Sequence, residues 1–369
     1  MSTLFFINEE IKQSSGISKK ILSQVKALKG HSQSCYFCRL VKLDNKLIRK
    51  VDDTVIDTYS KDNLGKLQSF ICFDALYVFI ISNNVDVMYV RYTHYANPMF
   101  IRFLKKLKEV GVKVLVEIPT YPYDHEYAKA GSFSKFKLLI DKNFRKKMGK
   151  YIYKFVTFSN DDYIWNKETV KISNAVDPDL VPLSKSKFDG ESLIFIGVAN
   201  LATWHGYDRL IRSVASYYQL GSEKKLNIYF YVVGNGLIYD DLKALALDLN
   251  VNQYVTFFGA LDGEALNHAF DNANIGVDSL GRHRSGSFHN NSLKSKEYLL
   301  RGLPIIMSHE DITLSDKDLF FKLPANEGGF DLLHLVDWYI NSKFEKNKIR
   351  NYAMKHFTWD IQVEKILRS

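Results

Sequence analysis

The chain has few cysteines, no long apolar run and no internal repeat closer than a general alternation of strands and helices. Three cysteines in 369 residues argue against a disulfide framework and fit a reducing cytoplasm. Cys35 and Cys38 have C-x-x-C spacing, but they sit in a strand-like run with no second Cys/His pair nearby, so zinc or redox use is not expected. The first ten residues lack a basic region followed by an apolar one, and no signal peptide is expected. The most apolar stretch, Ala75 to Ser82, is far shorter than a bilayer is thick.

Hydrophobic residues make up 46% and charged residues 25%, the balance of a globular protein. At this length two domains are the natural expectation. The net charge of +9 points to nucleic acid, a membrane surface or phosphorylated ligands. Much of it lies in Gly131 to Lys154, where eight basic residues face Asp141 alone. Phe133, Phe136, Leu139, Ile140, Phe144, Met148 and Ile152 recur there at helical spacing. Such a helix either lies on an anionic membrane or is a core helix with a solvated basic side. Nucleic acid is not expected, because no interleaved aromatics or groove-reading motif accompany the charge.

Along the chain, strands and helices alternate as in an α/β fold wound on a mostly parallel sheet. Ligands in such folds bind beyond the carboxyl ends of strands. In the first half that rule selects Ser14 to Gly16, Arg91 to His94, and Glu117 to Glu126. Thr120, Tyr121, Asp124, His125 and Glu126 crowd the last of these, though Asp124 equally suits a helix cap. A polar connection, Pro178 to Gly190, reads as the linker to a second α/β series.

Ser292 to Met307 reads as a helix start capped by Asn291 or Ser292, a short helix, a glycine stop at Gly302 and a buried strand. Lys294, Glu297 and Arg301 share one helix face. The preceding loop, Gly281 to Asn291, carries two arginines and two histidines. A basic loop feeding a helix N-terminus suits an anion, since free N–H groups and the macrodipole both attract negative charge. The same residues also fit a solvated face with a Lys–Glu pair.

Four motifs then follow in order: Ile194 to Ile211, Val232-Val-Gly-Asn-Gly236, Val255 to Leu261, and Lys296-Glu-Tyr-Leu-Leu-Arg-Gly-Leu-Pro304. Together they resemble the donor-binding domain of retaining glycosyltransferases of family 4, which have the GT-B fold. Asn174-Ala-Val-Asp177 resembles that family's handover between domains, and Phe357-Thr-Trp359 its returning helix. The resemblance implies an α/β protein of two Rossmann-like domains facing each other across a cleft. It implies an acceptor-binding domain over residues 1–180, a donor-binding domain over 190–346, and a C-terminal helix, 347–369, packing back on the first.

The implied reaction is transfer of a hexose from a nucleotide-diphosphate sugar, of UDP or GDP type, with retention of configuration. By the same resemblance, Glu297 binds the donor ribose, while Ser292, Leu293 and Lys294 hold the diphosphate. Ala260 and Leu261 meet the base. Gly16, Asn200, Gly234 and Gly236 line the donor's approach, although either of the last two glycines alone is equally a tight turn. Two positions depart from the family. His289 stands where a first glutamate is common, and His205 where a lysine or arginine is common. Lys294, Arg282 or Arg284 then supplies the phosphate charge, or His205 is protonated in the complex. Lys294, Glu297 and His205 are therefore the expected catalytic residues, with Arg282 and His289 among the donor contacts. Arg91, Thr120, Tyr121 and Asp124 are the expected acceptor contacts. No DxD motif stands in a suitable loop, so neither a divalent metal nor a cofactor is required by this reading. The expected setting is a peripheral protein at the inner face of the plasma membrane, acting on a lipid-linked or oligosaccharide acceptor for bacterial surface polysaccharide. A nucleotide-sugar binder without transferase chemistry is the alternative.

Overall fold

The computed structural model describes residues 1–11, 16–124, 132–221 and 225–369. The chain forms two compact units, Met1–Ser173 with Trp359–Ser369, and Asn174–Thr358.

The first unit is wound on a nine-stranded sheet. Its strands are β1 (Ser2–Glu10), β2 (Ser34–Leu43), β3 (Lys46–Val51), β4 (Thr54–Ser60), β5 (Val87–Arg91), β6 (Lys113–Ile118), β7 (Lys154–Thr157), β8 (Tyr163–Ile164) and β9 (Lys167–Lys171). They run in the order β4-β3-β2-β1-β5-β6-β7-β9-β8, and the inner pairs are parallel. Five helices accompany them: α1 (Gly16–His31), α2 (Asn63–Ile71), α3 (Asp74–Ser82), α4 (Pro98–Glu109) and α5 (Ser132–Met148). Leu4, Phe6, Met88, Val90, Val114 and Val116 form the centre of its core. The antiparallel hairpin β3–β4 has no clear signal in the sequence; its turn residue Asp52 has a positive φ of 49°. Cys35 and Cys38 are free and sit three apart on β2, so they point to opposite faces of the sheet.

The second unit has a six-stranded, all-parallel sheet, β12-β11-β10-β13-β14-β15. These strands are β10 (Ser192–Val198), β11 (Asn227–Val233), β12 (Val255–Gly259), β13 (Ile275–Val277), β14 (Ile305–Met307) and β15 (Phe320–Lys322). Its helices are α6 (Tyr207–Gln219), α7 (Tyr239–Asp248), α8 (Gly263–Phe270), α9 (Leu293–Leu300), α10 (Leu332–Ser342) and α11 (Lys346–His356). The last helix, α12 (Trp359–Arg368), belongs to the first unit and packs on α1.

The division differs from the expected 1–180, 190–346 and 347–369 at both crossings. Residues after Ser173 are tied to the second unit. Val176 N–H donates to Phe357 O (2.8 Å), Ser184 N–H to Arg301 O (3.0 Å), and Ser184 Oγ to Phe270 O (2.7 Å). The expected linker is thus part of that unit. So is α11, whose Ile349 and Ala353 are buried in a cluster with Leu299, Leu300 and Leu303.

Among the described residues no single helix is long and apolar enough to cross a membrane, though the bent pair α2–α3 passes that test jointly by length and composition.

Candidate active site

The second sheet changes direction at its middle. From β10 the chain builds outward to β11 and β12, then returns to β13 on the other side of β10. A crevice opens beyond the carboxyl ends of the two strands at such a reversal. The loops leaving β10, β13 and β14 meet there. Gly206, with φ of +64°, allows the closest approach. A Cβ on it would lie 2.3 Å from Gly281 N, and Leu280 N–H donates to His205 O (2.7 Å).

Asp278 is the hub of this region. It follows β13 directly and is fully buried. Its Oδ1 accepts from its neighbour Ser279 N–H (2.8 Å) and from Ser292 Oγ (3.0 Å), and lies 3.3 Å from Lys294 Nζ. Among the described residues its Oδ2 has no hydrogen-bond partner, and it lies 3.6 Å from His309 Nε2. Burial works to raise the Asp278 carboxyl, but Lys294, His309 and Ser292 outweigh it and bring its pKa to about 2. Burial lowers the Lys294 ammonium, and Asp278 offsets that only in part.

Ser292 caps α9 as expected, its Oγ accepting from Lys294 N–H (3.2 Å). Gly302 ends the helix with φ of +80°. Lys294 Nζ also reaches Ser279 Oγ (3.3 Å), so the ammonium is held at the helix mouth. Glu297 lies three residues further on the same face. Arg301 holds it through Oε1 alone, Nε at 3.1 Å and Nη2 at 3.0 Å, and the Glu297 side chain keeps 32% of its surface exposed. The expected trio of Lys294, Glu297 and Arg301 is therefore real, but Arg301 is a buried support, stacked 4.0 Å from the Phe270 ring.

His205 is buried, and its Nδ1 accepts from Ala202 N–H (3.1 Å). Burial, followed by the nearby Lys294 charge, lowers its pKa to about 3. The imidazole is therefore neutral and carries its proton on Nε2 as a donor. Arg282 is half-buried beside Lys294 and His205, and its Nε has no partner. Arg284 is committed elsewhere: its two Nη atoms bind Asp208 at 2.7 and 2.8 Å, and its Nε binds Glu327 at 2.9 Å. Of the two arginines, Arg282 is the one free to meet an anion.

Gly234 and Gly236 bring the β11–α7 turn onto the backbone leaving β10. A Cβ on Gly234 would sit 1.8 Å from Ala199 O, and one on Gly236 2.2 Å from Leu201 O. Leu201 N–H donates to Asn235 O (2.7 Å), which leaves Asn200 exposed between two fixed neighbours. Both glycines thus have a sufficient backbone reason to be there. Gly234 N–H donates to Gly259 O (2.6 Å), so exposed Ala260 and half-exposed Leu261 begin beside this turn. Leu293 is half-buried at the first turn of α9. His289 is exposed, and its backbone bridges to Glu310.

In the first unit Gly16 is exposed at the start of α1, while Ser14, Ser15, His125 and Glu126 lie outside the described residues. Arg91 is buried with its guanidinium on Glu117. Glu117 also accepts from Tyr89 Oη and Gln24 Nε2, each at 2.6 Å. Burial pushes the neighbouring Lys20 ammonium down to about 7, against the pull of Glu117. Asp124 is gripped by Arg145 of α5 at 2.6 and 3.1 Å. Arg91 and Asp124 are therefore occupied by structural ion pairs. Thr120 is exposed and Tyr121 half-buried, its ring 6.2 Å from that of Trp165. A recess of about 370 Å³ lies beyond β1 and β2, bounded by Glu9, Lys42, Lys66, Phe70 and Lys137.

Residues 183–286 match the family model of glycosyl transferases group 1. Over that segment the chain is similar to the group 1 glycosyltransferases. Its fold is GT-B and is shared over nearly whole chains. A glycosyltransferase from Rickettsia africae ESF-5 aligns with a TM-score of 0.62 at 15% identity, covering 100% of this chain and 97% of that one. TarM gives 0.59 at 10% identity, with 100% and 98% covered. WaaG, a glycosyltransferase involved in lipopolysaccharide biosynthesis, gives 0.57 at 12% identity, with 99% of both chains covered. No curated protein matches the chain by sequence. The family match stops before α9, so the roles of Lys294 and Glu297 rest on the geometry above.

Asp278, Ser279 and His309 escaped the sequence reading. The available signal was an acid placed directly after an apolar strand, Ile275 to Val277.

Proposed function

We propose that the enzyme moves a hexose from a UDP- or GDP-sugar, with retention, to a saccharide carried on a lipid, in the assembly of a bacterial surface polysaccharide. The observation that carries the donor side is the cluster at the mouth of α9. Lys294, Arg282, the neutral His205 and the free N–H groups of the first helical turn converge there on one place. Glu297 stands one turn further, with Oε2 unbonded, as a carboxylate suited to two ribose hydroxyls. Charge builds on the leaving diphosphate as the glycosidic bond breaks, and fixed donors at this place stabilise it. The same phosphate face takes the acceptor proton, so no strong protein base is needed. A panel of UDP- and GDP-sugars tested by thermal unfolding checks the donor side. One of them should raise the melting temperature by several degrees, since a ligand that binds only the folded state stabilises it. A flat response across the panel would remove the donor assignment.

The acceptor class draws on α5 and on the relatives WaaG and WaaB, the latter a lipopolysaccharide outer core galactosyltransferase. On α5, Phe136 and Leu139 are 52% and 62% exposed, with Lys135, Lys142, Lys146 and Lys147 exposed on the same helix. Each lysine near an anionic bilayer contributes about 1 kcal/mol, and each inserted apolar side chain about 2 kcal/mol. The protein should co-sediment with vesicles containing phosphatidylglycerol and much less with pure phosphatidylcholine. Joint replacement Phe136→Ser, Leu139→Ser and Lys146→Glu should cut the bound fraction about tenfold. Equal binding to both vesicles, or none to either, would count against a membrane-borne acceptor.

A further inference from the structure

Two imidazoles border the donor cluster, and their hydrogen bonds set them apart. His309 follows β14 and its side chain is fully buried. Its Nδ1 lies 3.3 Å from Ser279 O. A carbonyl only accepts, so Nδ1 carries the proton and Nε2 presents a lone pair. That lone pair faces Asp278 Oδ2 at 3.6 Å, and neither atom has another partner among the described residues. Two acceptors thus face each other in a buried place with room for one proton between them. His205 is built the other way: its Nδ1 lone pair already accepts from Ala202 N–H. A second proton on His205 would set a donor against a donor.

The charges around His309 come from three segments. The β13 loop supplies Asp278, α9 supplies Lys294, and its own segment supplies Asp311. Asp311 is already neutralised by Lys296 in a fully buried pair. In the free enzyme, Lys294 balances Asp278, and burial keeps His309 below the usual histidine range despite Asp278. A diphosphate at the mouth of α9 changes this balance. Lys294 then serves the phosphates, Asp278 loses its counter-charge, and new negative charge arrives within a few ångströms.

We propose that His309 takes up a proton from solvent when the donor diphosphate binds, and that the resulting imidazolium holds Asp278 while Lys294 turns to the phosphates. The inference rests on the donor-site reading. It makes His309 a positioning residue: it acts through Asp278 and Lys294 without touching the substrate. The sign follows from linkage. The bound state carries more protons than the free state, so the His309 contribution to affinity weakens as pH rises through the bound-state pKa.

Calorimetry of UDP and GDP binding near neutral pH, in buffers of different ionisation enthalpy, reads the number of protons taken up. The wild type should take up roughly half to one proton more per nucleotide than His309→Gln or His309→Asn. His205→Gln should bind more weakly yet keep the wild-type uptake. If the His309 variants do not fold, UDP-glucose decides with the wild type alone. Its phosphates do not titrate near neutrality, so an enthalpy that depends on buffer still reports uptake by the protein. Equal proton counts in wild type and His309 variants, or a buffer-independent enthalpy with UDP-glucose, would overturn the inference and leave the donor site standing. Absence of binding by UDP, GDP and UDP-glucose would overturn the donor-site reading and the inference with it.

Discussion

Replacing Lys294 by methionine lowers the turnover number by about two to three orders of magnitude, the usual effect of removing one fixed donor from a developing negative charge. In the free enzyme the ammonium waits at the mouth of α9, held by Asp278 Oδ1 and Ser279 Oγ, each at 3.3 Å. The variant also loses stability. Asp278 is fully buried, and stripping one partner from a buried ion pair costs about 3–5 kcal/mol. Its remaining donors, Ser279 N–H and Ser292 Oγ, limit the loss. Adding Asp278→Asn separates the two effects. The double variant should regain most of the stability, because no unpaired charge remains, and none of the rate, because the phosphate still lacks its cation. Urea midpoints and steady-state transfer measure both. A single variant within tenfold of wild-type turnover would remove Lys294 from the chemistry.

Glu297→Ala should act on the other kinetic constant. A carboxylate that accepts from two ribose hydroxyls contributes about 2–3 kcal/mol through charge-assisted bonds. The ribose lies away from the breaking bond, so this binding is felt about equally in ground and transition states. The expected outcome is a donor KM raised about 30- to 100-fold with kcat changed only a few-fold. Glu297→Gln should fall between. The fold should tolerate the change, because Arg301 keeps Asn267 Oδ1 at 2.9 Å and the Phe270 ring. A normal KM with a collapsed kcat would move Glu297 from ribose binding to the reacting centre.

What the sequence made legible follows the range of the interactions. The cap at Ser292, the stop at Gly302 and the shared face of Lys294, Glu297 and Arg301 are set within one helix, and all were readable. Asp278 and His309 were not. Their meaning depends on β10, β13 and β14 being neighbours, which a linear reading does not supply. Arg91 and Asp124 show the same limit from the other side. Arg91 ends β5 and Asp124 follows β6, places where a ligand is expected, but Glu117 and Arg145 close on them in the folded unit. The β3–β4 hairpin was passed over because its two strands carry little apolar alternation, and pairing along the edge of the sheet defines it. The helix α11 was expected to cross back with α12. Its buried side chains match the α9 surface, and only α12 returns.

That return bears on the order of synthesis. Trp359, Gln362, Val363 and Ile366 are buried, and Gln362 Oε1 accepts Ser173 N–H at 2.9 Å. The face of α1 against which α12 packs therefore stays uncovered until the entire second unit has emerged from the ribosome. The half of the enzyme that is translated first is the half that matures last. Until then its apolar surface needs shielding from neighbouring chains.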